Sequence, residues 1–175
     1  MAAIGPPALT ESSPRSRVVY APQPFNGEGK SIFLSGSISE INGELWQRTI
    51  AKTLSARPIT ILDPYRPDWD ASWNEDISFA PFREQVGWEL DMQEKADVIA
   101  LYFGPEAKAP ISLLELGLFA RSKKTIVACP EGYWKKGNVQ IVCAKYGIEL
   151  VDDLEKLVEA VTNRLRALEV PRGAE

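Results

Sequence analysis

No histidine occurs anywhere in the 175 residues, which removes imidazole triads and most zinc sites from consideration. Acid–base chemistry in this chain falls to carboxylates, tyrosine or lysine. Cysteine is nearly as scarce. Cys129 and Cys143 lie in apolar surroundings without metal-ligand spacing and read as buried thiols of a reducing compartment. Basic runs are missing as well: 20 Lys and Arg stand against 24 Asp and Glu, for a net charge of -4, and no stretch is built to track a phosphate backbone. A nucleic-acid polymer is therefore not an expected partner. No apolar run reaches the roughly 18 residues of a membrane span, and the N-terminus lacks a basic-then-apolar leader pattern, so no membrane association and a cytoplasmic location are expected.

What remains has the composition of one ordinary globular domain, 45% hydrophobic and 25% charged. Residues 1–29 carry Pro6, Pro7, Pro14, Pro22 and Pro24 with little periodicity beyond Val18, Val19 and Tyr20, and read as an irregular extension ahead of a domain over 30–170. Within that domain, short apolar runs predict strands at Ser31–Ser35, Pro58–Pro64, Asp97–Phe103, Thr125–Pro130 and Ile148–Val151. Helical spacing appears between them: over 43–55 through Leu45, Trp46, Ile50 and Leu54, then at Phe82–Lys95, Pro110–Ala120, Asn138–Lys145 and Asp152–Leu168, the last with Asp152 as its expected N-cap. About five strands alternating with helices predict an α/β fold, a doubly wound parallel sheet covered on both faces. Ligands of such sheets bind outside the carboxyl ends of the strands. Ser35-Gly36-Ser37, Asp63-Pro64, the loop before Glu115 and Cys129-Pro130 converge there. The stretch between Pro64 and Pro81 is long, polar and aromatic, the pattern of a functional loop.

Two acids stand out against this frame. PISLLELGLFA, Pro110 to Ala120, is apolar at almost every angle except at Glu115, whose helix-face neighbours include Ile111, Ser112, Leu118 and Phe119. A buried carboxylate is either paired or kept for chemistry. Gly117 suggests a close approach to the backbone nearby. In FREQVGWELDMQEK, the stripe Phe82, Val86, Leu90 is taken as the core face, which places Glu89 beside it and inward. Asp91 falls about 200° further round, where it can pair with Lys95 as a solvated acid. Two inward carboxyl groups from helices flanking one strand suit cleavage of a glycosidic bond.

Taken together, IFLSGSI, WQ, FREQVGWEL, KADVIALYF, PISLLELG and the spacing of Tyr133 to Asn138 resemble the nucleoside 2-deoxyribosyltransferase family, most closely the branch with FREQ-x-x-WEL and PISLLELG. The resemblance implies a flavodoxin-like fold, no metal or organic cofactor, and breakage of the N-glycosidic bond of a deoxynucleoside through a covalent sugar ester. By the same resemblance Glu115 matches the nucleophile and Glu89 the acid that handles the base, while Asn138 matches an asparagine that reaches a neighbouring subunit's site in a homodimer or higher oligomer. Ser35, Gly36, Ser37, Asp63, Arg83, Ser112 and Asn138 are the candidate substrate-binding residues. Trp46, Trp69, Trp88 and Tyr133 are either packing residues or a base-stacking surface. Where the transferases have a first-strand tyrosine this chain has Phe33, so Glu115 must be held by other groups, and Ala109 replaces an acid six residues before it. Transfer to a second base or to water, a nucleoside 5'-monophosphate N-glycosidase, and a non-catalytic nucleotide-binding module all remain open at this point. The related monophosphate hydrolases have an arginine where Ser39 stands, and Glu40 and Glu44 follow it, so the free nucleoside is the expected substrate. Arg66 or Arg83, reaching in from its own loop, could offset this.

Overall fold

The computed structural model describes residues 15–41 and 43–169. Six strands form one parallel sheet in the order β1-β5-β2-β6-β7-β8: β1 Arg17–Tyr20, β5 Ile59–Asp63, β2 Lys30–Gly36, β6 Val98–Tyr102, β7 Thr125–Ala128 and β8 Glu149–Val151. A two-stranded hairpin, β3 Glu40–Ile41 and β4 Glu44–Leu45, lies between β2 and the first helix. The helices are α1 Trp46–Thr53, α2 Ala80–Lys95, α3 Pro110–Phe119, α4 Lys136–Tyr146 and α5 Leu154–Glu169. This is the flavodoxin-like, doubly wound α/β architecture.

The apolar runs form strands because they are buried on both faces, and alternate residues divide the core in two. Ile32 and Leu34 of β2 pack with Ile50, Leu54, Leu157 and Val161 under α1 and α5. Phe33, one residue out of phase, turns to the other side with Trp88 and Met92 of α2. On that same side α3 and α4 bury Leu116, Val139 and Cys143 over Leu101 and Val127. Chain order carries β2 to β5 on one side and β5 back past β2 to β6 on the other. The switch in direction falls between β2 and β6, the point beyond whose strand ends sheets of this kind bind their ligands.

Five local expectations are corrected. Arg17–Tyr20, read as part of an irregular extension, is a sixth strand pairing in parallel with β5 from Arg17↔Thr60 to Tyr20↔Asp63. Residues 1–14 of that extension lie outside the described residues. The N-cap of α5 is Asp153, whose carboxylate accepts the Lys156 N–H at 2.8 Å; Asp152 instead pairs with Lys156 Nζ at 3.4 Å. On α2 the predicted stripe faces outward, Val86 being 36% and Leu90 38% exposed, while Gln85, Trp88, Met92 and Gln93 are buried. Asp91 is exposed and forms no ion pair with Lys95. Gly117 has open space around its α-carbon, so no backbone approach explains it.

The long loop after β5 gathers an aromatic cluster that is at most half-buried. Trp69 and Trp73 pack at 4.9 Å, and Phe79 and Phe82 close the cluster. The Arg66 guanidinium lies 5.0 Å over Trp73 and is paired with Asp68 at 3.0 Å and Glu84 at 2.9 Å. The other aromatic candidates are packing residues too. Trp46 stacks on Tyr102 and donates to the Ser37 carbonyl, Trp88 donates to the Gln23 carbonyl, and Tyr133 lies against Phe103 and donates to the Lys108 carbonyl.

Candidate active site

Glu115 sits at the middle of α3, 8% exposed, and faces the end of β2. Its two oxygens are held separately: the Ser35 hydroxyl donates to Oε2 at 2.6 Å and the Gln93 amide donates to Oε1 at 2.6 Å. Three elements, β2, α2 and α3, thus meet on one carboxylate. Burial pushes the Glu115 pKa up, and the hydrogen bonds from Ser35 and Gln93 oppose that push by favouring the charged form. Phe33 contributes only packing, at 6.2 Å from Trp88. Ser35, two residues further along the same strand face, supplies the hydroxyl that Phe33 lacks.

Glu89 lies on the inward face of α2 between Gln85 and Gln93. Gln85 Nε2 donates to Glu89 Oε1 at 2.8 Å and to the Pro64 carbonyl at 2.8 Å, tying the helix to the end of β5. Burial raises the Glu89 carboxyl to about 7; the Gln85 hydrogen bond works against this and the charge of Glu115 adds to it. The pair is therefore asymmetric. Glu115 has two donors that favour its charged form, whereas Glu89 has one and keeps its proton towards neutral pH. Asp63 closes the group from β5, buried, with the Tyr65 N–H donating to it at 2.9 Å. Its pKa is raised by burial, against the Tyr65 hydrogen bond and the charge of Arg48.

The loop after β2 is shaped by glycines. Gly36 adopts φ 148°, and a Cβ there would run into the Tyr102 carbonyl, so only glycine lets β2 end against β6. The Ser37 hydroxyl is 2.8 Å from that of Ser39, accepts the Gly104 N–H at 2.8 Å and lies 3.4 Å from the Tyr102 carbonyl. It is occupied in holding the loop to the strand beside it. Ser112 is buried one turn before Glu115. Ala109 opens α3 in the left-handed region at φ 43°, a conformation that costs an alanine on the order of 1 kcal/mol.

Of the predicted site residues, Ser35 bonds to Glu115 and the charge of Glu115 acts on Glu89; Gly36, Ser37 and Asp63 stand at the ends of β2 and β5, and Ser112 lies on α3. Arg83 does not join them. It is exposed, donates to the Ile77 carbonyl at 2.6 Å and borders an outer groove with Gly87 and Asp91. Asn138 is exposed in the first turn of α4 and touches neither acid within the chain. Two polar residues escaped the sequence reading, Gln85 and Gln93. Both are buried, 4% and 0% exposed, and each keeps a buried carbonyl oxygen without a partner among the described residues. Their signal was the spacing: Gln85, Glu89 and Gln93 recur every four residues, a polar stripe on one helix face.

The match to known families covers this whole assembly. The family model described as nucleoside 2-deoxyribosyltransferase like matches residues 29–133, from the start of β2 through β7. No curated protein matches the chain. With both carboxyl groups, their glutamine partners and Ser35 inside the matched segment, the chain belongs to the nucleoside 2-deoxyribosyltransferase-like family.

Proposed function

We propose that the protein cleaves the N-glycosidic bond of a (deoxy)nucleoside through a covalent sugar ester on Glu115. The observation that carries this reading is the asymmetric pair: a buried carboxylate oriented by Ser35 and Gln93 at 2.6 Å each, beside a carboxyl raised to about 7. In the first step a Glu115 oxygen bonds to C1' of the sugar as the bond from C1' to the base nitrogen breaks. The electron pair leaves with the base, and Glu89 delivers the proton that neutralises it. In the second step an acceptor base or water attacks C1' as the ester bond breaks; the electron pair returns to Glu115, and Glu89 takes the proton of the incoming group. Two carboxyl groups with separated pKa values are what such a sequence requires, one ionised to attack and one neutral to donate.

The unpartnered carbonyl oxygens of Gln85 and Gln93 and the carboxyl of Asp63 supply acceptors for the N–H groups of a base or the hydroxyls of a sugar. Free nucleoside is the preferred form. Ser37 is bound to Gly104 and Ser39, Arg66 and Arg83 are engaged elsewhere, and Glu40 follows the loop; Arg48, whose charge reaches Asp63, is the cation a 5'-phosphate would have to recruit. The unit is a homo-oligomer. Ile111, Leu114 and Leu118 on α3, with Trp134 and Ile141 beside and on α4, are each more than half exposed, an apolar surface suited to a second copy. A partner docked there brings its Asn138 towards Glu115.

The test is to incubate the protein with a panel of nucleosides, with and without a free acceptor base, and to follow base release together with intact mass. Wild type should release base and carry a sugar adduct, and Glu115→Ala should do neither. Base release at more than a few per cent of wild type by Glu115→Ala, or an adduct on that variant, would overturn the assignment.

A further inference from the structure

We propose that Gln93 is a positioning residue shared by the two acids: its amide carbonyl takes the proton of Glu89 while its N–H donates to Glu115. The bridge decides which acid is neutral and which is ionised; its use in catalysis rests on the reaction proposed above.

Gln93 is fully buried, and its Nε2 donates to Glu115 Oε1 at 2.6 Å. That contact fixes the amide, because turning it over would set its carbonyl oxygen against an ionised carboxylate. The carbonyl oxygen is then an acceptor held in place. It is sealed from solvent, and no amide or hydroxyl among the described residues donates to it, a state in which buried polar groups are rarely left. Glu89 stands four residues earlier on the inward face of α2, at the spacing where helix side chains meet. Its Oε1 accepts from Gln85 at 2.8 Å, which leaves Oε2 to carry the proton that burial keeps on this carboxyl towards neutral pH. The side chains of Gln85, Glu89, Gln93 and Glu115 thus form one directional chain, each bond polarising the next. It is complete only with Glu89 neutral and Glu115 ionised. Of the charged groups from other elements, Glu115 of α3 acts on Glu89, and Arg48 of α1 acts on Asp63 of β5. Among the described residues no cation pairs with either glutamate, so the amides set the split between them. Once Glu89 has passed its proton to the base, the Gln93 carbonyl is released to donors on the base or the sugar.

Glu89 can be followed through stability, without turnover. The urea-unfolding difference between a protein and its Glu89→Gln version is measured against pH in four backgrounds: wild type, Gln93→Leu, Ser35→Ala and Gln85→Met. In wild type the difference changes up to about pH 7, where Glu89 ionises in the fold. Gln93→Leu keeps the volume but removes the acceptor of the neutral form, so this upper end should fall by about 0.5 to 1 pH unit, the worth of one hydrogen bond. Ser35→Ala takes the other donor from Glu115 without touching Glu89; it controls for the charge of Glu115 and should move the upper end less than half as far. Gln85→Met loses an N–H that favours ionised Glu89 and should move it upward. If Gln93→Leu does not fold, Gln93→Met carries the test. An upper end unmoved in the Gln93 variant, or moved as far by Ser35→Ala, would overturn the proposal whether or not nucleosides are turned over. The expected shift in a protein that releases base from no nucleoside would uphold the bridge and overturn the reaction instead.

Discussion

Replacing Glu89 by glutamine should make the protein more stable and less active at the same time. The carboxyl is moved from its ordinary 4.5 to about 7. At about 1.4 kcal/mol per tenfold, its ionisation in the fold is disfavoured by on the order of 3 kcal/mol. Below pH 4.5 the group is protonated in both folded and unfolded chains and contributes nothing to the pH dependence. Between 4.5 and about 7 the unfolded chain releases the proton while the folded chain keeps it, so the folded state loses stability as pH rises. Above that window the loss is complete. Glutamine has no proton to release, and its carbonyl oxygen can still accept from Gln85 Nε2. The variant should therefore gain on wild type across the window, by about 1–3 kcal/mol once the partial exposure of Glu89 is allowed for. Urea unfolding of both proteins at matched pH values, with the difference taken at each, cancels every other titrating group. Base release should fall about 100-fold or more over the same range. A stability difference that does not change between pH 5 and 8 would refute the buried, neutral state of Glu89, and a variant that keeps its activity would refute its role as acid.

Ser35→Ala should lower kcat/KM by about 10- to 100-fold, the worth of a hydrogen bond to a charged group. Because the lost donor favoured the ionised form, the acidic limb of the pH–rate profile should move to higher pH; an unmoved limb would show that Ser35 does not hold the nucleophile. In a competition between one nucleoside and its 5'-monophosphate, the nucleoside should be consumed at least about tenfold more efficiently, since Glu40 follows the loop with no ion pair among the described residues and repels a dianion, while Glu44 is paired with Lys52. Preferential loss of the monophosphate would reverse that reading. Mixing Glu115→Ala with Asn138→Ala, each inactive alone, should restore base release if Asn138 acts across a subunit boundary; failure of a demonstrably mixed oligomer to do so would rule this out.

The legibility of the fold followed burial. Strands such as ITILD and VIALY are buried at every position, so an apolar run bounded by turn residues was sufficient to find them. RVVY was missed because only Val19 of its residues is buried and prolines surround it. The α2 helix misled for a different reason. The rule that apolar residues face inward assigns Val86 and Leu90 to the core, but this helix turns a Gln85–Glu89–Gln93 stripe to the inside to serve a carboxylate on another helix. Glu89 was placed correctly on a face that had been chosen wrongly. Glu115 was legible because one acid in a greasy helix has few explanations. Its partners were not, since Ser35 looks like a turn residue and Gln93 like a surface glutamine until the third dimension brings them together.

Residues 15–29 have a consequence for where this protein can be cut. β1 covers the edge of β5, the Ala21 N–H donates to the Asp63 carbonyl at 3.2 Å, and the Gln23 carbonyl takes the Trp88 indole proton at 2.7 Å. Phe25 and Ala21 are buried against Trp88 and Met92. A recombinant fragment trimmed to the family boundary at residue 29 would bare the hydrogen-bonding edge of β5, a template for strand addition between molecules. It would also strip the packing from the helix that carries Gln85, Glu89 and Gln93. The segment acts as a splint, set by the chain itself across the one helix whose exact rotation decides which side chains reach the carboxylate.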